Sequence, residues 1–430
     1  MFKRTQMKLL AGAAASALSI GTAIAGPSGS ELDLSFMPAA GGMEGVGAVR
    51  PQDTTATVFG NPATATQLKG ETEFLFGGSY ISPDLKSSGT VSAPGPGGTL
   101  VGMPFKGRSK LDDLAVPNAA VLQRLTPRLV VGMGISGVSG LGSDFRNRFP
   151  VPLSLTADLK LFGASMNAAY QVTDRLALGG AFTLGIGSLQ VGTQPSTASS
   201  NNFGVSGRFG FTYDLGPVAI GGFYRTEMRV KYSGIVLINP TTFSDFTLTQ
   251  PREIKGGIST TEAFSETTMV SIDVGWKNYS KARGYQDFWR NQWKIAIGLQ
   301  QALTDRFTVR AGWSTNRSIS KRASKLGFSF SQVPSLFAPG FPDLGLGPET
   351  APVFPDIIQV AQTTIANGLW QQGVSMGAGY QLTKRIRVDL FANYAYDGQA
   401  RFKSPIPGSP QELRGDGNLF STGMGFTWNF

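Results

Sequence analysis

The sequence predicts an all-β fold, a transmembrane antiparallel β-barrel of about 14 strands with an N-terminal plug. Three observations carry it: an export signal at the start, no later apolar run of helix length, and long stretches in which apolar and polar side chains alternate. Residues 1–25 read as the signal. Lys3, Arg4 and Lys8 precede an apolar run from Leu9 to Ile24 that ends on Ala23-Ile24-Ala25, small residues suited to cleavage. The run is short, rich in Ala and Gly and soon followed by Pro27, so it reads as a removed leader rather than an anchor.

Beyond residue 25 no segment approaches the roughly 20 consecutive apolar residues that a spanning helix needs. An exported chain that stays in a membrane must then cross it as strands, because lipid offers no partner for unpaired backbone groups. Composition agrees. Gly is 56 of 430 residues and charged residues are only 15%, less than a soluble domain usually carries. The net charge of +10 falls to about +7 once the three basic leader residues are gone, which suits contact with lipid and lipopolysaccharide phosphates. With no basic cluster or motif, no nucleic-acid partner is expected.

The chain has no Cys and no His, which excludes disulfides, a lipid-modified cysteine, thiol catalysis, Ser-His triads and His-ligated metals. No cofactor, metal or enzymatic activity is expected. Gly132-Met-Gly134-Ile-Ser-Gly137 matches a dinucleotide fingerprint and Gly373-Val-Ser375-Met-Gly377 a nucleophile elbow, but both sit inside strand patterns.

Period-two alternation places one side chain in lipid and the next in the lumen. Trp293, Ile295, Ile297 and Leu299 oppose Gln292, Lys294 and Gln300. Phe307, Val309, Ala311 and Trp313 oppose Thr308, Arg310 and Ser314, and Val388, Leu390, Ala392 and Tyr394 oppose Arg387, Asp389 and Asn393. A run from Gly222 to Tyr232 is read as one strand, with Tyr224, Met228, Val230 and Tyr232 outward and Arg225, Glu227, Arg229 and Lys231 lumenal. The final strand carries Phe420, Met424, Phe426, Trp428 and Phe430 on one face; a terminal aromatic is similar to the signal read by barrel-assembly machinery.

Tight turns recur as Leu125-Thr-Pro-Arg128, Val172-Thr-Asp-Arg175, Leu303-Thr-Asp-Arg306 and Leu382-Thr-Lys-Arg385, with a related Asp214-Leu-Gly-Pro217 and a less clear turn near residues 261–267. Longer connections lie near 83–111, 141–158, 188–202, 233–250, 280–290, 318–368 and 399–417, on the other side. Six turns and seven loops make fourteen strands. The first convincing strand is Thr72 to Ile81, so residues 71–430 form the barrel and 26–70, rich in Gly, Ala and Thr, can plug its lumen or hang as a tail.

On these residues the chain resembles the FadL family of outer-membrane transporters of long-chain fatty acids and other hydrophobic compounds. The resemblance rests on Asn61-Pro62-Ala63 after a Gly-rich segment, Gly78-Ser-Tyr80-Ile-Ser-Pro83-Asp84, Tyr224-Arg225-Thr226-Glu227, Val274-Gly275-Trp276, Arg310-Ala311-Gly312 and Gly423-Met-Gly425-Phe426. It implies an N-terminal hatch carrying Asn61, Pro62 and Ala63, a cell outer-membrane location, and a kinked third strand that opens a lateral gap. The matching stretch holds Gly137, Gly140 and Leu141, where five glycines in eleven residues weaken a strand.

The implied ligand is a long-chain fatty acid or another hydrophobic small molecule, taken up by passive diffusion by a protein expected to be monomeric. Ile235, Leu237, Phe243 and Phe246 in one loop, and Phe337 and Phe341 in the longest, supply candidate apolar capture surface or pack together as a lid. Arg225, Arg229, Lys231 and Lys294 are candidate lumenal carboxylate contacts, or partners of Glu227 and Asp273. The loop of 188–202 is short and that of 318–368 long for the family, which leaves the substrate open. A hydrocarbon-specific channel, a general porin and a surface adhesin or receptor are the rival functions.

Overall fold

The computed structural model describes residues 34–94, 100–110, 113–146, 155–193, 197–239, 242–260, 266–286, 288–321, 354–364 and 370–430. Its strands are β1 Thr72–Pro94, β2 Leu100–Arg108, β3 Leu114–Thr126, β4 Leu129–Asp144, β5 Leu155–Gln171, β6 Leu176–Thr193, β7 Thr197–Asp214 and β8 Val218–Arg225. There follow β9 Met228–Asn239, β10 Thr242–Gln250, β11 Glu253–Thr260, β12 Thr268–Lys277, β13 Gln292–Ala302, β14 Phe307–Asn316, β15 Gln372–Gln381, β16 Ile386–Lys403 and β17 Glu412–Asn429.

Among the described residues, fourteen of these strands form one antiparallel ring: β2 only extends the hairpin above β1, and β9 pairs with β10 apart from the wall. The ring closes where β17 pairs with β1 from Glu73–Asn429 to Thr90–Glu412, so neither the first nor the last strand ends the sheet as an edge. The expected count of fourteen is borne out.

Alternation sets the two faces as expected. Trp293, Ile295, Ile297 and Leu299 lie on the exposed outer face of β13, as do Phe203, Val205, Phe209 and Phe211 on β7. Inside, Arg310, Asp389 and Asn393 are buried. No described helix is long and apolar enough to cross a membrane, so the exposed apolar belt belongs to the strands.

The repeated turns share one mechanism. Thr126 Oγ1 accepts from the N–H groups of Arg128 (3.3 Å) and Leu129 (3.0 Å), Thr173 from Arg175 (3.3 Å) and Leu176 (3.0 Å), Thr304 from Arg306 (3.3 Å) and Phe307 (3.0 Å), and Thr383 from Arg385 (3.2 Å) and Ile386 (3.1 Å). One hydroxyl thus satisfies two N–H groups that a two-strand reversal would strand. In the turn after β7, Asp214 Oδ1 accepts from Gly216 N–H at 2.7 Å in the same way.

One strand reading is corrected. Gly222 to Tyr232 is not a single wall strand: β8 stops at Arg225, and β9 turns away at Met228 to pack on the lumenal faces of β6 and β7. Met228, Val230 and Tyr232 are buried in an inner apolar core rather than facing lipid. Several expected loops are also ladder. The stretches near 188–202 and 399–417 continue β6, β7, β16 and β17, and 233–250 is mostly the β9–β10 hairpin. The leader and its cleavage site lie outside the described residues.

Candidate functional site

Residues 34–68 fold as a compact inner segment with 3-10 turns at Leu34–Phe36, Ala40–Met43 and Pro62–Gln67 and one helical turn and a half, α1, at Thr54–Phe59. The turn at Pro62–Gln67 packs on β5, β6 and β7, and that at Ala40–Met43 on β14, β15 and β16. In a ring of fourteen, β6 and β15 stand seven strands apart, so the segment runs across the full diameter of the lumen.

Asp53 organises it. As the N-cap of α1 it accepts from Ala56 N–H at 2.7 Å, while its other oxygen accepts from Ala39 (2.8 Å) and Ala40 (3.1 Å). Burial pushes this carboxyl up from the usual range, against the downward pull of the three N–H donors.

Asn61 then joins the segment to the wall. Its Nδ2 donates to the carbonyls of Ala48 (2.6 Å) and Phe211 of β7 (2.9 Å), and its Oδ1 accepts from Ala63 N–H (3.1 Å). Pro62 occupies the first turn, where its missing N–H costs nothing. The wall opposite has glycines because nothing larger fits: a Cβ on Gly210 would strike Asn61 Oδ1, and one on Gly179 would strike the Ala63 backbone.

Two residues missed in the sequence complete the joint. Arg208, 2% exposed, donates from β7 to the carbonyls of Val58 (2.7 Å) and Gly60 (3.2 Å) at the end of α1, and to Ser165 Oγ (2.6 Å) and Thr183 Oγ1 (3.3 Å). Alternation could have found it, since the outward Phe209 and Phe211 force Arg208 inward. Glu44 is the second: its carboxylate accepts from Ser314 Oγ (2.7 Å) and from Asn393 Nδ2, and its N–H donates to Ser375 Oγ (3.0 Å).

The four candidate carboxylate contacts separate. Arg225 is lumenal but forms an ion pair with Glu253 at 2.5 Å, and Lys294 donates to the Glu44 carbonyl at 3.4 Å. Arg229 and Lys231 are corrected: they lie on the exposed face of β9, paired with Glu227 and Asp245 at 2.5 and 2.7 Å, because β9 has left the wall. Asp273 takes Lys255 at 3.2 Å and the N–H groups of Gly47 and Ala48, so the cations on this side hold the segment and neighbouring acids.

The wall opens at the third strand of the ring. β3 and β4 pair only from Thr126–Leu129 to Ala119–Ile135. Above that the β3–β4 ladder stops, over the roughly 17 Å that the five residues Leu114–Asn118 span. A side-chain bond from Ser136 Oγ to Asn118 Oδ1 marks the lower edge, and Lys110 N–H donating to the Asp144 carbonyl (2.7 Å) marks the upper.

The break coincides with a bulge in the β4–β5 register between Gly137 and Ser139, which leaves Val138 unpaired and turned inward over Gly163. Gly137 and Gly140 thus flank the predicted irregularity. Leu141 pairs with Leu159.

Val138 touches two apolar cores. One is the inner segment's own, with Leu34, Met37, Val58 and Phe59. The other lies towards the long-loop end, where Met228, Val230, Tyr232, Ile235 and Leu248 pack with Tyr279, Tyr285 and Trp289 on Leu159, Leu161 and Leu189. The Tyr285 and Trp289 rings stack at 4.8 Å, and Tyr279 meets Trp289 edge-on at 5.0 Å.

Ile235 and Phe246 belong to this packed core rather than to an exposed capture patch, and Phe243 and Leu237 are paired in the β9–β10 ladder. Phe337 and Phe341 lie outside the described residues. A helix, α2 (Phe354–Thr364), ties the outer end together. Gln362 donates to the carbonyls of Phe288 and Lys321, and Gln359 to that of Lys403, each at 3.0 Å.

Beneath the inner segment, at the tight-turn end, lies a polar cavity of about 570 Å³ lined by Arg50, Gln52, Asp53, Glu73, Asp174 and Arg387 among others. Among the described residues no cluster of acidic side chains could hold a metal ion.

Residues 37–210 match the family model described as "Outer membrane protein transport protein (OMPP1/FadL/TodX)", which bears out the resemblance read from the sequence. A FadL homologue of Pseudomonas aeruginosa has the same fold at 14% identity, with TM-score 0.66, over 96% of this chain and 100% of that one. The Pseudomonas putida toluene transporter TodX matches at 16% identity and TM-score 0.62 over 93% and 99%, and the Ralstonia pickettii toluene transporter TbuX at 17% and 0.58 over 95% and 100%. No curated protein matches the sequence.

Proposed function

We propose, from the premise that the chain is an outer-membrane transport barrel of FadL/TodX type, that it is a channel rather than an enzyme. It takes up long-chain fatty acids or similar hydrophobic compounds by passive diffusion. The ligand enters through the apolar core at the long-loop end, passes Val138 beside a hatch formed by the inner segment, and leaves sideways between β3 and β4. The observation that carries this is the loss of β3–β4 pairing at the bulge where Val138 joins the two apolar cores.

Energetics favour that direction. The space below the hatch is polar, whereas the wall beside the opening carries the exposed apolar side chains Met133 and Met166. A ligand gains about 0.8 kcal/mol per CH₂ kept out of water, so a long acyl chain loses on the order of 10 kcal/mol if it must cross the wet cavity. A sideways path avoids that penalty. A hatch held by Asn61, Arg208 and Glu44 also blocks straight aqueous flow, which argues against a general porin.

A monoaromatic hydrocarbon is the second reading, supported by the likeness to the two toluene transporters. Binding of purified protein to a fatty-acid series and to toluene, beside uptake by cells lacking the protein, separates the two. Saturable binding of neither class, with large steady ion conductance in a planar bilayer, would overturn both.

A further inference from the structure

The opening between β3 and β4 is not empty. On β5 the residues Ala164, Met166, Ala168 and Tyr170 form the exposed, outward row, and Phe162 is the next member of that row by parity. Yet Phe162 is partly buried and packs against a core made of Phe36, Leu114, Val116, Trp370 and other residues that all face inward. A side chain on the lipid face of an intact sheet cannot touch residues behind it; here it can, because Phe162 pairs with Gly137 at the bulge, where β4 has lost its other neighbour. Gly137 carries no side chain to fill the place.

We propose that the Phe162 ring is the shutter of the lateral opening, set by the bulge to cover it from the membrane side and displaced as ligand leaves. This rests on the lateral-exit reading above. It adds a residue that controls how fast, and how bulky, a molecule can pass. Ring displacement needs only a rotamer change, a cheap motion at the edge of the break in the β3–β4 ladder.

The natural absence of cysteine makes the test clean. Phe162→Ala and Phe162→Cys, both checked for folding by heat-modifiable gel mobility, should raise uptake of a hydrophobic probe such as oleate roughly threefold or more, as removal of a gate does when gating limits the rate. Treating Phe162→Cys with benzyl methanethiosulfonate should return uptake to the starting rate, and reduction should raise it again. Met166→Cys, further along the same outward row, should respond to neither step. Unchanged uptake in folded Phe162→Ala, with strong loss in Gly137→Val/Gly140→Val, would overturn the shutter and leave lateral exit standing. No change in either would overturn both.

Discussion

Two sides of the same lumen hold the inner segment in opposite ways. Towards β11–β16 the contacts are buried and directional: Glu44 with Ser314 and Asn393, Asp273 with Gly47 and Ala48, Lys255 with the Gly45 carbonyl at 2.8 Å. Towards β3 and β4 they are mainly apolar, through Leu34, Met37, Phe59, Leu122 and Val138, with Arg124 of β3 donating to the Thr66 and Leu68 carbonyls only at the tight-turn rim. Hydrogen bonds fix position and cost their full desolvation when broken, whereas apolar contacts can slide and be replaced by a hydrophobic guest. The contacts cheapest to rearrange therefore lie where the wall is open, as the proposed lateral exit requires.

Arg208 stands at the boundary of the two sides, and changing it should produce the largest effect. Arg208→Leu removes four buried donor contacts and leaves the Val58 and Gly60 carbonyls facing an apolar side chain, a loss of about 2–5 kcal/mol at roughly 1–3 kcal/mol for each buried carbonyl left unpaired. The expected result is a lower unfolding midpoint in urea together with new ion conductance in a planar bilayer. A silent bilayer with unaltered stability would mean that the arginine does not hold the inner segment.

A smaller effect is expected on the apolar side. A Cβ on Gly163 would lie 2.7 Å from Val138 Cγ1 and 3.0 Å from Thr183 Cγ2. Gly163→Val should therefore push Val138 from its place between the cores at about 1–3 kcal/mol of overpacking. Uptake should fall while the barrel still inserts; a folded variant with normal uptake would show that the ligand path avoids Val138.

The smallest effect belongs to the turns, which serve the wall on both sides equally. Thr304→Val deletes two hydrogen bonds at an exposed reversal and should cost about 1 kcal/mol without changing uptake, and the same change at Thr173 should add to it independently. Thermal unfolding of the single and double variants checks both statements.

How far these features could be read from residues alone follows from what alternation can and cannot encode. Wall strands such as β13 and β17 announce themselves because lipid and lumen are consistent environments along a whole strand. The turns do too, since each needs its Thr or Asp hydrogen bond. Between Gly222 and Tyr232 the period-two pattern continues without a break because β9 also has two unlike faces, one in an apolar core and one exposed; periodicity cannot distinguish that pair from lipid and lumen. No Gly or Pro at Thr226-Glu227 warns of the departure.

The candidate site was legible in part. Asn61 stood out as a turn former before the first strand, and the glycine run at 132–142 as a weak strand. Val138 did not, because a bulge is a property of two paired registers and not of one strand. Ile235 and Phe246 were visible as apolar residues in a connection, but whether such residues pack together or wait for ligand depends on the hairpin that joins them.

The central claim is that a hydrophobic molecule leaves between β3 and β4. Uptake measured in Gly137→Val/Gly140→Val tests it most directly, because β-branched side chains at both glycines favour a regular ladder and straighten the bulge. The account predicts that uptake falls about tenfold or more, a change of ~1.4 kcal/mol, in a protein that still folds and remains electrically silent. Undiminished uptake in that folded double variant would contradict it.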